Sequence, residues 1–363
     1  MDGQRQMYLG PHLRIPPGDP WGLRSKRFGV AAASLARRRS DALDRSVQHP
    51  ETSARNHHYV PQAYMRKWSS DQKRVLVLDT STGLDRMVGI RHLCSENDFY
   101  RVTGPDGREH NRVEMFFGVL DGEMARVQRL LCDMTSVDEI QRDDFASLTL
   151  VMAMQRNRTA QSRRVESARR AWSAVQPHAP GGTPSGPDSV ELTTEFMRYA
   201  FDGMYAAADV LATRQLEIWS DPKGRFVTSD APVMVPFESG SRRDLVETAR
   251  LYWPVSPHRM VVLSTDHAGK RVVERTANAR QVDEFIGAAI QGRERFLLAT
   301  PSSIDLLPRG KILRRRAQLE VRCTPLGGLA GNCIVDSGAA YADAPVVVLC
   351  PRHVTVEGLA EFR

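Results

Sequence analysis

At 363 residues, with 41% apolar and 26% charged side chains, the chain is long enough for a large core and ordinary in composition for a globular protein. Its best apolar runs, such as Ala344–Cys350, are strand-sized and well short of the ~18 residues of a membrane helix, so no membrane partner is expected. The formal charge is +7; residues 1–50 hold nine basic and four acidic side chains, a net +5, which leaves about +2 for all the rest. Basicity on that scale says little about a nucleic-acid partner.

The opening residues lack the basic patch and apolar block of a secretory signal. Cys94, Cys132, Cys323, Cys333 and Cys350 are spread out with no CxxC pair, which argues against a disulfide scaffold or a zinc ribbon. The expected location is cytoplasmic.

Residues 1–54 read as a basic leader, partly disordered, with one short amphipathic helix over Phe28–Arg39. A single compact α+β domain is expected over 55–363. It opens at Asn56-His57-His58-Tyr59-Val60-Pro61, where the proline holds the chain extended and then starts a short helix, Gln62–Trp68. Arg74–Asp79 and Leu84–Val88, joined by Thr80-Ser-Thr-Gly83, predict a hairpin, and Pro105-Asp-Gly107 a turn. Asn111 caps a predicted helix from Arg112 to about Asp133, with Val113, Phe116, Phe117, Leu120, Met124, Val127 and Leu131 as its apolar stripe. A second cap at Ser136 or Asp138 opens a long helix to about Ala174. A Pro/Gly loop covers 177–188, and a further helix spans about Glu191–Ala212.

Strand patterns then take over, at Leu216–Trp219, Phe226–Thr228, Tyr252–Val255 and Arg259–Ser264, followed by a helix from Asn278 to about Gly292. Glu320–Cys323 and Val346–Leu349 extend the expected sheet. Long helices in the first half and mainly antiparallel sheet in the second define an α+β class.

No phosphate-binding glycine loop, HExxH or GxSxG is present. The chemistry that remains rests on scattered polar residues. His57 and His58 lie on opposite faces of an extended segment, so one of them can line a pocket as proton shuttle or metal ligand, while a hydrogen-bonded latch is the competing reading. Phe226-Val-Thr-Ser-Asp230-Ala-Pro232 delivers Asp230 to a strand end, either as a site carboxylate or as a turn residue. Glu114 and Glu123 are carboxylates of one helix, half a turn out of phase. Arg156 interrupts the apolar pattern of the long helix, and either clamps an anion or pairs internally with Glu114 or Asp230.

These segments together resemble a bacterial family known only as domain of unknown function 4238. The likeness rests on Asn56–Trp68, Glu96-Asn97-Asp98-Phe99-Tyr100, Glu114, Glu123, Arg156, Phe226–Val233, Pro254-Val-Ser-Pro257 and the Asn278 helix, over about residues 55–300. Met65 stands where leucine is more usual, and Asp98 lengthens the Glu-Asn-Phe-Tyr pattern by one residue. The resemblance implies no assigned activity.

Two main classes of function stay open, beside a third, metal-free recognition of a small anion by His58, Arg156 and nearby backbone donors. One is a metal-dependent, nuclease-like hydrolase of phosphodiesters. Its catalytic residues would be His57, His58, Arg156 and Asp230, its metal ligands His58, Glu114, Glu123 and Asp230, its ion Mg or Mn, and its substrate nucleic acid or another phosphate-containing molecule. Tyr59, Tyr64 and Trp68 beside Arg66 and Lys67 would stack and hold phosphates. The other is a non-catalytic binding or interaction protein, with a protein partner, in which the same residues close into an internal network.

Overall fold

The computed structural model describes residues 54–104, 107–164, 166–167, scattered positions from 197 to 210, 211–236, 245, 248–266, 270–309, and the backbone of 316–325 and 333–342. Residues 1–53 of the leader, the 177–188 loop, most of the predicted Glu191–Ala212 helix and Val346–Leu349 lie outside the described residues.

The chain enters through β1 (Asn56–His58), a short helix α1 (Gln62–Met65) and a 3-10 turn (Arg66–Trp68). The expected hairpin forms as β2 (Arg74–Asp79) and β3 (Leu84–Gly89), with Gly83 at φ 73° in its turn. Strand β4 (Ser95–Asn97) pairs antiparallel with β1. The extra residue Asp98 adopts φ 57°, and its carboxylate grips Arg55 at 2.6 Å and Arg101 at 3.3 Å, so the insertion closes the end of the β1–β4 pair. The small β5–β6 ribbon (Val102–Thr103, Glu109–His110) leads to α2 (Arg112–Asp133).

Helix α2 buries Phe116, Phe117, Leu120, Met124, Val127 and Leu131, the predicted stripe save for Val113, which is half-buried. Asn111 stands at its N-cap, but its side chain donates to the Ala54 carbonyl at 3.0 Å instead of capping the helix. Ser136 opens only a 3-10 turn. Helix α3 (Arg142–Asn157) begins later, where the Asp144 carboxylate accepts from the Gln141 N–H at 3.0 Å. It is buried nearly all round from Phe145 to Gln155, as a central helix must be.

The expected run to Ala174 is interrupted. The backbone turns at Arg158 and Thr159 and becomes helical again at 160. Thr159 causes the restart, its hydroxyl accepting from the Ser162 N–H at 3.2 Å in the manner of an N-cap.

Strands β7 (Gln215–Ser220), β9 (Arg250–Ser256), β10 (Arg259–Ser264) and β11 (Val272–Thr276) form a sheet of order β11-β7-β10-β9. The β11–β7 pairing is parallel and the others antiparallel. Side-chain alternation gives this sheet two buried faces. Leu216, Ile218, Trp253, Val261 and Leu263 join the core of α2 and α3. Trp219, Tyr252, Met260 and Val262 join a second core with Val282, Phe285 and Ile286 of α4 (Ala279–Gly292), which Asn278 caps at the expected start of the helix.

Strands β2 and β3 do not stand alone. They continue through β12 (Phe296–Ala299) into β8 (Thr228–Ser229), in the order β3-β2-β12-β8. The fold is α+β, but helices and sheets occur in both halves and the expected segregation fails, because the early hairpin needs late strands to complete its sheet. Residues 316–325 and 333–342 pair only with each other among the described strands, as a hairpin β13–β14, and do not extend either larger sheet.

Candidate functional site

The Asn56–Trp68 segment is fastened by its own polar atoms. His57 is fully buried; its Nε2 lies 3.0 Å from the Ala54 carbonyl, and its Nδ1 accepts from the Tyr100 N–H at 2.9 Å. That pattern requires neutral imidazole protonated on Nε2, consistent with burial lowering its pKa. Both ring nitrogens are spent on backbone, and the ring stacks on Tyr100.

Tyr64 donates to the Pro254 carbonyl at 2.6 Å and Trp68 to the Phe226 carbonyl at 3.2 Å. Tyr59, Tyr64 and Trp68 are 5% exposed or less. The expected stacking surface is therefore absent at these residues: they are core, and only Arg66 and Lys67 of that group face solvent.

Asp230 lies at the junction of β8 and β12, in the core. Its Oδ1 accepts from the Glu294 N–H at 2.8 Å, and its Oδ2 from the N–H groups of Arg295 and Phe296 at 2.7 and 3.0 Å. Burial pushes its pKa up to about 7, against three amide donors that favour the carboxylate. Beside it the Arg295 guanidinium grips Asp79 with bonds of 3.0 and 2.7 Å, holding that carboxyl down to about 2. Arg164 pairs bidentately with Glu294 at 2.6 and 2.7 Å.

Glu123 belongs elsewhere. It is bound to Arg126 at 2.8 Å, and Arg126 bridges to Asp144 of α3 at 2.7 Å. Glu114, nine residues earlier and about half a turn round, faces the opposite way.

Glu114 instead shares a face with Phe117 and Asp121, and that face meets Arg158. Arg158 is fully buried, with its guanidinium 5.1 Å from the centre of the Phe117 ring. Its Nε and Nη2 donate to Gln155 Oε1 at 3.1 and 2.9 Å, and Nη2 also to Asp121. Gln155 is fixed in turn by donating to the Tyr59 carbonyl at 2.8 Å, and the Tyr100 hydroxyl donates to the His58 carbonyl at 3.2 Å.

Burial pushes Glu114 up to about 7, with Arg158 pulling back and Asp121 adding to the rise. It raises Asp121 also, against the attraction of Arg158. Burial lowers His58, backbone hydrogen bonds to Ile90 and Arg91 oppose this, and the charge of Arg158 contributes to the lowering.

Two nitrogens in this cluster are buried without a hydrogen-bond partner among the described residues: His58 Nε2 and Arg158 Nη1. Of the expected site residues, His58 and Glu114 both feel the charge of Arg158, His57 is tied to Tyr100, and Glu123 and Asp230 are held in separate networks. Arg156, expected as the clamp, is half-buried, and the guanidinium fully buried in this cluster is that of Arg158. A complementary signal marks it in sequence: Glu114, Phe117 and Asp121 at spacings of three and four, opposite Gln155 and Arg158 three apart. Among the described residues no group of three or more His, Cys, Asp or Glu side chains is arranged to hold a metal ion, and no helix is long and apolar enough to cross a membrane.

A family described as protein of unknown function (DUF4238) matches residues 56–301. The chain belongs to this family. The match takes in β1 through the start of α5 (Pro301–Ile304) and leaves β13–β14 outside. No curated protein and no solved structure matches the chain.

Proposed function

We propose that this DUF4238 chain is a non-catalytic binding protein whose His, Glu, Asp and Arg residues serve mainly as an internal structural network. The observation that carries this reading is Asp230, whose two carboxylate oxygens are taken by three backbone N–H groups. A carboxylate so engaged is a poor metal ligand or water activator. His57, with both nitrogens bonded to backbone, supports the same view. The partner class is a protein or a phosphate-bearing ligand, and the location is cytoplasmic, a setting in keeping with the free thiols of Cys94 and Cys132.

The nuclease-like reading keeps one favourable observation, the two buried nitrogens of His58 and Arg158 that lack a hydrogen-bond partner among the described residues. The test is metal analysis of purified protein after incubation with Mg²⁺ and Mn²⁺, alongside single- and double-stranded nuclease assays. No stoichiometric metal and no cleavage are expected. Cleavage abolished in folded H58A would replace the binding reading with the hydrolase one.

A further inference from the structure

We propose that the outer edge of β11, with the Val137–Glu139 turn as a second wall, takes up an extended peptide of a partner protein as an added strand antiparallel to β11. The inference rests on the binding-protein reading and names the partner's chemistry and its mode of attachment.

The geometry starts from the sheet. β11 is the last strand in the order β11-β7-β10-β9, and among the described strands it pairs only with β7. Peptide groups point to alternate sides along a strand. The Ala277 N–H donates to the Ser220 carbonyl at 2.8 Å. The carbonyls of Arg275 and Arg271 accept from the side chains of Ser220 and Gln215 at 3.3 and 3.2 Å. The odd-numbered residues thus turn their peptide groups to β7, and those of Val272, Glu274 and Thr276 point away from it. The far edge of the same sheet is closed, because Met234 exchanges bonds of 2.8 and 2.9 Å with Tyr252 of β9. No described strand closes β11 in that way.

Along this edge runs a groove of about 600 Å³, between the turn and Lys270–Glu274, a volume suited to a short segment of peptide. Its floor is apolar. Val272 stands opposite Leu216 of β7 and Glu274 opposite Ile218, on the face that meets the core of α2 and α3. Val137 and Val272 are half-buried against that core, and Ile140 is buried in it. An added strand can bond to the peptide groups of Val272 and Glu274 while every second side chain rests on this floor.

Charge sets its direction. Lys270 is exposed at the start of β11 and Glu274 is exposed farther along. An antiparallel peptide that is basic toward its N-terminus and acidic toward its C-terminus meets both with opposite charge. Pairing all of β11 with a second copy in antiparallel register would set Glu274 against Glu274, so the occupant is a different chain.

The experiment is a fluorescence-anisotropy titration of the full chain with a labelled synthetic peptide, acetyl-Thr-Arg-Thr-Val-Thr-Glu-Thr-amide. Its Arg, Val and Glu fall opposite Glu274, Val272 and Lys270. Saturable binding is expected. N-methylation of the peptide's Val amide, which faces Val272, should weaken binding about tenfold or more, whereas N-methylation of the next Thr amide, which faces away, should change it less than about twofold. Exchanging Arg and Glu in the peptide should weaken binding several-fold, and the double variant Lys270→Glu with Glu274→Lys should reverse that preference. Both substituted positions are exposed, so the fold is not at stake. No saturation at millimolar peptide, equal losses from the two N-methylations, or an unreversed charge preference would overturn strand addition at β11. None of these failures touches the metal and nuclease tests of the structural-network reading, and His58-dependent cleavage would overturn that reading without moving the peptide result.

Discussion

Asp230 and Arg158 are both buried charges at points where distant segments meet, and they end differently. Around Asp230 both carboxylate oxygens are taken by backbone donors, and the neighbouring Asp79 and Arg295, and Arg164 and Glu294, close on one another. Around Arg158 the pairing stops one group short. Burial of charge alone does not tell the two corners apart; the completeness of hydrogen bonding does.

If the Asp230 corner is structural, breaking it should cost stability and leave any ligand affinity unchanged. D230N places an amide N–H₂ against at least one backbone donor, and about 2–4 kcal/mol of unfolding free energy should be lost in urea. His57→Phe keeps a ring against Tyr100 but strands its N–H, for about 1–3 kcal/mol. A loss below about 0.5 kcal/mol in D230N, read against typical surface changes, would show that the corner relaxes and is not a keystone.

The Arg158 corner should respond to pH instead. Glu114 has its pKa raised from 4.5 to about 7 in the fold. A raised folded pKa means that the stabilisation is complete below about 4.5 and is lost as pH rises through about 7. E114Q should remove this slope and be more stable than the parent at pH 8, by about 1–2 kcal/mol once the partial exposure of the side chain is allowed for. Parallel stability–pH curves for parent and E114Q would mean that the carboxyl is solvated and that Arg158 stands in a wetter place than its burial indicates.

How far these two corners are legible in the sequence follows from the range of their contacts. The β2–β3 hairpin, α2 and the Asn278-capped helix are readable because turn, cap and apolar period lie within a few residues of one another. Asp230 is visible as a polar residue at a strand end, but its partners are main-chain amides of residues 294–296, which leave no side-chain signature. The pairing of β2 with β12 is hidden for the same reason. Arg158 is obscured by continuity: the helical pattern runs on past it, and the cap at Thr159 is a single hydroxyl in an arginine-rich stretch. Glu114 and Asp121 are visible, yet only the crossing of α2 and α3 shows that it is Arg158, and not Arg156, that buries its charge against them.

The smallest expected effect lies at the rim of the closed corner and tests whether closure there depends on one exposed arginine. Arg295 is 49% exposed while Asp79 is 1% exposed, and the pair holds the Asp79 carboxyl down to about 2. A depressed folded pKa stabilises above the ordinary value of 3.8 and is lost as pH falls through about 2. R295Q should therefore cost little at pH 7, about 0.5–1 kcal/mol given solvent screening of the guanidinium. Its clearer mark should be on the acid limb, where the unfolding midpoint moves to higher pH because Asp79 takes up its proton sooner. Ser81 and Arg86 still bind Asp79, so the shift should be partial. An acid limb that does not move would place the whole effect on those two partners and reduce Arg295 to a surface charge beside an already closed network.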